Sequence, residues 1–337
     1  LTNREEVLYG TNLLSEDTDN DLVSDFDEVS LGLNPLDPSD ASQAPGILIL
    51  FDDINNNQLP DWLRVKTTSN LTEVSLVHSH TLADVASFSL PHTLSSPTFH
   101  LLEDRNDDDI REFATFGFNT FVERYQLNVY DGVNGKSLGV WNWANTHDNV
   151  KFKPTPDFNN DGYQEYAIVG IHKVNKTRQL VVKDGATKRQ YQVFKWVDNW
   201  ESPRIVFMDD VTGDSVSEVA LYGHHKRLNK GQLFALDGQT GAKLNVYNWN
   251  KLWSKNTLHK MSDIDGDGTA DWGQFGERLD DGRYQWVVKK GSDSKGVIRT
   301  FSWPADLTNT NPLLLKDRTG DGVKEVAIYG VNDKGNV

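Results

Sequence analysis

Residues 263–276 read DIDGDGTADWGQFG, and this stretch decides the fold. Acidic residues stand at positions 1, 3, 5 and 9 of its first nine residues, and an apolar strand-like run follows. The pattern recurs: Asp, then Asp, Asn or Thr two residues on, Asp or Asn four on, and Asp or Glu eight on. Its first residues are Asp53, Asp104, Asp157, Asp210, Asp263 and Asp317, at intervals of 51, 53, 53, 53 and 54. The ninth positions are Asp61, Glu112, Glu165, Glu218, Asp271 and Glu325. A register held over so much chain is an internal repeat of about 53 residues.

Other marks keep the same period. Gly117, Gly170, Gly223, Gly276 and Gly330 each lie thirteen residues after a first Asp, and Trp143, Trp196, Trp249 and Trp303 lie fourteen residues before one. Asp131, Asp184 and Asp237 lie twenty-seven residues after a first Asp, each followed by Gly, with Lys290-Gly291 in the fifth repeat. Asp-Gly between apolar runs predicts a tight hairpin turn in which Gly takes a positive φ. In the fourth repeat PRIVFMD, EVALYGHH, GQLFALD and AKLNVYNW read as four short strands, rich in β-branched and aromatic residues. No segment has a sustained helical period. The expected fold is therefore all-β, a β-propeller of four-stranded blades over residues 47–337. Five units are complete and a sixth holds two strands, which implies six or seven blades in a longer protein.

Residues 1–40 follow a different pattern. Asp17, Asp19, Asp21, Asp25 and Glu28 occupy positions 1, 3, 5, 9 and 12 of a loop like that of an EF-hand, with Leu22 where Gly is usual. EEVLYGTNLLSED and DEVSLGLNPLDPS are two copies 22 residues apart, matching Gly10 with Gly32 and Asn12 with Asn34. This segment resembles the thrombospondin type 3 repeat, entered part-way through at Leu1. Residues 41–46, with Pro35, Pro38 and Pro45 nearby, read as a stiff linker.

Calcium is a hard cation that takes six to eight oxygens, and alternate residues of a tight loop can converge on one centre. The candidate ligands are Asp53, Asn55, Asn57 and Asp61; Asp104, Asn106, Asp108 and Glu112; Asp157, Asn159, Asp161 and Glu165. They continue with Asp210, Thr212, Asp214 and Glu218; Asp263, Asp265, Asp267 and Asp271; Asp317, Thr319, Asp321 and Glu325. Position 7 is mostly apolar, which suits a site that takes its carbonyl while the side chain packs inward. Zinc would want His or Cys, and magnesium keeps its waters. The cofactor expected is calcium, several ions. Polar turns without metal are the simpler reading of any single loop, but six in register argue against it. The nine-residue loop resembles the FG-GAP or VCBS-type repeats of integrin α-like propellers. That resemblance implies the fold and calcium loops between the first two strands of each blade.

Ten Trp, fifteen Phe and ten Tyr supply a core, and cysteine is absent, which removes disulfides, thiolate nucleophiles and zinc–thiolate sites. The net charge of −15 opposes nucleic acid and anionic membranes, and no apolar run of about 18 residues offers membrane insertion. No nucleophile elbow, phosphate loop or HExxH motif is present. The function expected is a calcium-stabilised binding or adhesion module, secreted or at the cell surface, recognising a glycan or protein. One alternative is a polysaccharide lyase or hydrolase using His224, His225, Tyr222 and Arg227, and another is a structural spacer. His172 and Lys173 would extend a basic rim, and His78 and His80 share a strand face. The repeated Trp reads as packing between blades, and Trp200 and Trp253 as candidates for ligand contact.

Overall fold

The computed structural model describes residues 8–12, 18, 25, 29, 34–36, 47–54, 59–67, 71–78, 84–91, 93–249, 253–294, 296–305 and 307–332. They form two compact units, Leu1–Asn145 and Thr146–Val337. No described helix is long and apolar enough to cross a membrane.

The first unit holds β1 (Ile47–Leu50), β2 (Trp62–Thr67), β3 (Leu71–Val77) and β4 (Asp84–Pro91), then β5 (Leu94–Leu101), β6 (Phe113–Asn119), β7 (Arg124–Tyr130) and β8 (Ser137–Ala144). The second holds β9 (His147–Pro154), β10 (Tyr166–His172), β11 (Thr177–Lys183) and β12 (Gln190–Val197), then β13 (Trp200–Met208), β14 (Glu218–His225), β15 (Lys230–Leu236) and β16 (Lys243–Asn248). It continues with β17 (Trp253–Lys260), β18 (Trp272–Arg278), β19 (Tyr284–Lys289) and β20 (Arg299–Trp303), and ends in β21 (Leu307–Leu314) and β22 (Val326–Asn332). Each run of four is one antiparallel meander, and β21 pairs with β22. The chain is all-β, built of four-stranded propeller blades, as the repeat predicts. His172, His224 and His225 close the second strands of blades 3 and 4.

The second strands of blades 2 to 5 carry runs of buried residues and are covered on both faces. β14 is buried over its first six residues and β18 over its first five, whereas the fourth strand β12 alternates. Aromatic and β-branched residues suit such doubly covered strands. In the second unit the cover comes from the next blade. One core joins Phe158, Leu180 and Phe194 of blade 3 to Val219, Leu221 and Leu236 of blade 4. Another joins Tyr222, Leu233, Tyr247 and Trp249 of blade 4 to Leu258 and Trp272 of blade 5. In the first unit Phe51, Leu63 and Val74 pack with Ile110 and Phe113.

The repeated tryptophans fasten these interfaces. Trp196 Nε1 donates to the Phe234 carbonyl at 3.3 Å, and Trp249 Nε1 donates to the Val287 carbonyl at 2.9 Å. Trp196 lies in the fourth strand of blade 3 and Trp249 just past that of blade 4, and each bond runs to the third strand of the next blade. Trp303, half-buried, packs beside Phe275 and Phe301. Trp200, expected as a ligand contact, is instead buried, its Nε1 bonded to the Val197 carbonyl at 3.0 Å. Its ring meets His225 edge-on at 5.1 Å.

Two sets of periodic glycines are explained by close approach. First strands carry a bulge between Ser95 and Thr98, Glu201 and Arg204, and Thr308 and Asn311. Facing them, a Cβ on Gly117, Gly223 or Gly330 would stand 2.9–3.0 Å from the Ser95, Glu201 or Thr308 carbonyl oxygen. The glycines after Asp131, Asp184 and Asp237 do not carry the positive φ expected of them. That conformation falls three residues later, at Gly135, Lys188 and Gly241. A Cβ on Gly132, Gly185, Gly238 or Gly291 would lie 2.0–2.1 Å from the carbonyl oxygen at loop position 8. These hairpins are glycine-bearing because they rest on the loop.

Replacing Trp249 by Ala removes a fully packed indole and its hydrogen bond to the Val287 carbonyl, so unfolding in denaturant should show a loss of about 3–5 kcal/mol. Trp303→Ala should lose less, and equal losses would contradict the inter-blade role assigned to Trp249.

Candidate metal centres

The five loops that begin at Asp104, Asp157, Asp210, Asp263 and Asp317 share one conformation. Positions 4 and 6 take positive φ in every one: Asp107 and Asp109, Asn160 and Gly162, Gly213 and Ser215, Gly266 and Gly268, Gly320 and Gly322. Asp, Asn and Gly tolerate that region best. The alternation wraps the loop around its first carboxylate. The position-6 N–H donates to the first Asp Oδ2 at 2.7–2.8 Å in all five loops. The position-7 N–H donates to the position-5 carboxylate at 2.8–3.0 Å.

Position 9 closes the loop from below. Asp61, Glu112, Glu165, Glu218 and Asp271 are fully buried, at 0% exposure. The N–H of position 2 donates to each of them: Ile54 to Asp61, Arg105 to Glu112, Phe158 to Glu165, Val211 to Glu218 and Ile264 to Asp271. Arg318 does the same to the half-buried Glu325. The second carboxylate oxygen of Glu112, Glu218 and Asp271 accepts the N–H of Gly132, Gly238 and Gly291 at 2.8–2.9 Å. Loop and distal hairpin are thus tied to one buried acid.

The third loop breaks that pattern. Glu165 Oε1 is buried without a hydrogen-bond partner. It belongs to a cluster with Asp157 and Asp161, whose carboxylate oxygens lie within 4.8 Å of one another. Burial first, then Asp157, Asp161 and Asp184, push the Glu165 carboxyl up to about 8. Burial chiefly, with Asp131 and Asp108 adding to it, pushes Glu112 up to about 7. Glu218 and Asp271 are raised too, by burial. Asp263, Asp265 and Asp267 form a second cluster within 4.8 Å. Here the Ser292 hydroxyl, with help from Lys290, holds Asp267 down to about 2. Either cluster could bind a metal ion. Oxygen-only donors in a backbone cradle suit a hard cation, and the Glu165 oxygen without a donor fits one.

Asn55 and Asn57 lie outside the described residues, as do Asp17, Asp19, Asp21 and Glu28. Asp25 is described: it accepts the Thr18 N–H and hydroxyl, both at 2.7 Å. That is the same position-2-to-position-9 bond as in the blades. Position 7 packs inward at Ile110, Val216 and Thr269, but Leu59 and Tyr163 are exposed. Tyr222 cannot serve as an acid or base beside His224. It is buried, donates to Gln274 Oε1 at 3.3 Å and lies under the Arg204 guanidinium. His78 stands just past β3, and His80 lies outside the described residues.

Sequence reading missed the residue before three of the loops. Asp52 accepts the Arg111 N–H at 2.7 Å and its guanidinium at 2.9 Å, and Asp209 accepts the Ala270 N–H at 3.3 Å and pairs with Lys260. Ser262 Oγ accepts the Lys324 N–H at 3.0 Å. Each latch runs from the foot of one loop to position 8 of the next blade's loop. The doubled acids Asp52-Asp53 and Asp209-Asp210 were the available signal.

In sequence, no family model and no curated protein matches the chain. Solved structures similar to it include the Dos1 propeller, at 14% identity and TM-score 0.39 over 75% of this chain and 62% of that one. A rhamnogalacturonan lyase of Bacillus licheniformis shows 12% identity and TM-score 0.41 over 80% and 65%. An apocarotenoid oxygenase of Synechocystis shows 10% and 0.43 over 72% and 58%. The chain spans about three-fifths of the Dos1 propeller's length. Nothing about ligand or reaction follows from similarities of this size.

The raised position-9 acids set a pH dependence in the absence of cations. Between their ordinary value near 4.5 and the raised values near 7 and 8, the native chain holds protons that the unfolded chain has released. Stability in chelator should therefore fall as pH rises from about 4.5 to 8. Glu165→Gln keeps a carbonyl acceptor for Phe158 and should flatten the profile. Urea denaturation at several pH values checks this, and an unchanged slope in the variant would refute it.

Proposed function

We propose that the chain is a calcium-stabilised binding module of a secreted or cell-surface protein, recognising a glycan or protein ligand. The observation that carries the calcium reading is the buried Glu165 oxygen left without a donor in the Asp157–Asp161–Glu165 cluster. A buried carboxylate without a partner is costly, and a cation shared by the three acids removes both the desolvation and the repulsion. Asp157, Asp161 and Glu165 would hold the ion, and the homologous acids of loops 2, 4 and 6 would act alike. The ion supplies rigidity here and no chemistry.

The exposed hairpins at the other end of the blades support the binding part. Among the described residues, the turn between second and third strands presents Lys173, Val174 and Lys176 in blade 3, and Lys226, Arg227 and Leu228 in blade 4. Val174 is 85% exposed and Leu228 42%. Cations flanking an apolar tip suit an anionic partner, on a chain whose net charge is −15 with these cations counted.

Extracellular calcium modules bind at about 10⁻⁴–10⁻³ M. With roughly 10 mM calcium and a dissociation constant of ~1 mM, one site adds about 1.4 kcal/mol. Loops 3, 4 and 6 together would add about 4 kcal/mol to the second unit, so chelation should lower its melting temperature by about 10 °C. Calorimetry with calcium and with chelator measures this, alongside elemental analysis of dialysed protein. An unchanged melting temperature would mean that the loops are metal-free turns.

A further inference from the structure

In blades 2, 3 and 5 the position twenty-seven residues after the first Asp faces the loop from the hairpin. In blades 2 and 3 it is acidic and meets an amide: Asn106 Nδ2 donates to Asp131 Oδ2 at 3.1 Å, and Asn159 Nδ2 donates to Asp184 Oδ2 at 2.9 Å. In blade 5 both partners change together. Loop position 3 becomes Asp265 and the facing residue becomes Lys290, whose Nζ stands 2.8 Å from Asp265 and 3.0 Å from Asp267. The Ser292 hydroxyl also donates to Asp267. Asp271 has both oxygens engaged, by the N–H groups of Ile264 and Gly291 at 2.8 Å each, as Glu112 does in blade 2 by those of Arg105 and Gly132. Glu165, its counterpart in blade 3, has one oxygen bare.

We propose that the Lys290 ammonium is the resident cation of the fifth loop, so that this loop stays folded without a metal ion and takes calcium only by expelling the lysine. The inference builds on the calcium reading of the other loops. A tethered ammonium is present at a high effective concentration, and it neutralises Asp265 and Asp267 with short, partly buried ion pairs. Calcium entering this loop must break both pairs and move Lys290 into water, a penalty that loops 2 and 3 do not impose. DIDGDGTAD, with acids at all four alternating positions, is therefore a weaker calcium site than loops 2 and 3.

Hydrogen–deuterium exchange on the full chain, in chelator and in 1–10 mM calcium, separates the cases. In the native chain, calcium should slow exchange in residues 104–112 and 157–165 and leave 263–271 unchanged. Lys290→Met should speed exchange at 263–271 in chelator by about three- to tenfold. Lys290→Asp, which restores the residue type of blades 2–4, should make that loop respond to calcium and raise the bound calcium by one per chain. Calcium protection of 263–271 in the native chain equal to that of 157–165 would overturn the inference. So would a Lys290→Met variant whose loop exchanges at the native rate. If no loop responds to calcium while Lys290→Met still loosens 263–271, the calcium reading fails and the role of Lys290 stands.

Discussion

A carboxylate at the ninth position of each loop, fully buried in five of the six, is the constraint on which the rest of the blade depends. It accepts the N–H of loop position 2, and in blades 2, 4 and 5 also the N–H of a glycine twenty residues further on. One acid thereby joins the connection between strands one and two to the hairpin between strands three and four. The glycine is required because its Cα lies almost against the loop's own backbone, where any Cβ would overlap a carbonyl oxygen. A buried acid that holds two chain segments cannot easily be exchanged for an apolar residue, since both N–H groups would lose their acceptor. The same closing bond between Thr18 and Asp25 shows that the solution is not confined to blades.

Such a centre brings an electrostatic problem. At the alternating positions, loops 2, 3, 4 and 6 each add two further acids and loop 5 adds three, in surroundings that screen poorly. The blades meet it differently. Amides at position 3 soften the repulsion in blades 2 and 3, backbone N–H groups ring the first Asp of loops 2 to 6, and blade 5 inserts an ammonium. Where these fall short, as at Glu165, the charge is left for a diffusible cation or a proton. Variation between the loops is therefore variation in how much positive charge each must take from outside.

Contacts between neighbouring blades lie at two levels. Near the loops, Asp52, Asp209 and Ser262 each catch the N–H at position 8 of the following loop. Farther along the sheets, Trp196 and Trp249 reach the third strand of the next blade through aromatic cores. Rigidifying a loop thus stiffens an interface as well as a turn. The exposed basic hairpins, such as Lys226 to Leu228, carry none of these constraints.

The fold was legible because it is a repeat. A period near 53 residues, four β-rich runs and a Trp at one phase specify four-stranded blades, since alternation and turn chemistry act locally and repetition amplifies a weak signal. The loop positions were legible for the same reason. What sequence could not reveal was the use of each acid, because that depends on what burial brings opposite it. Asp271 and Glu165 look equivalent in the repeat, yet one is satisfied by a glycine N–H and the other keeps a bare oxygen. Tyr222 and Trp200 read as surface chemistry until packing placed them in the core. Lys290 reads as a turn residue until the hairpin folds back over the loop. Local pattern determined where the charges sit along the chain; only the tertiary structure decided which of them meet, because Coulomb and desolvation energies depend on distance and burial in space, which sequence separation does not record.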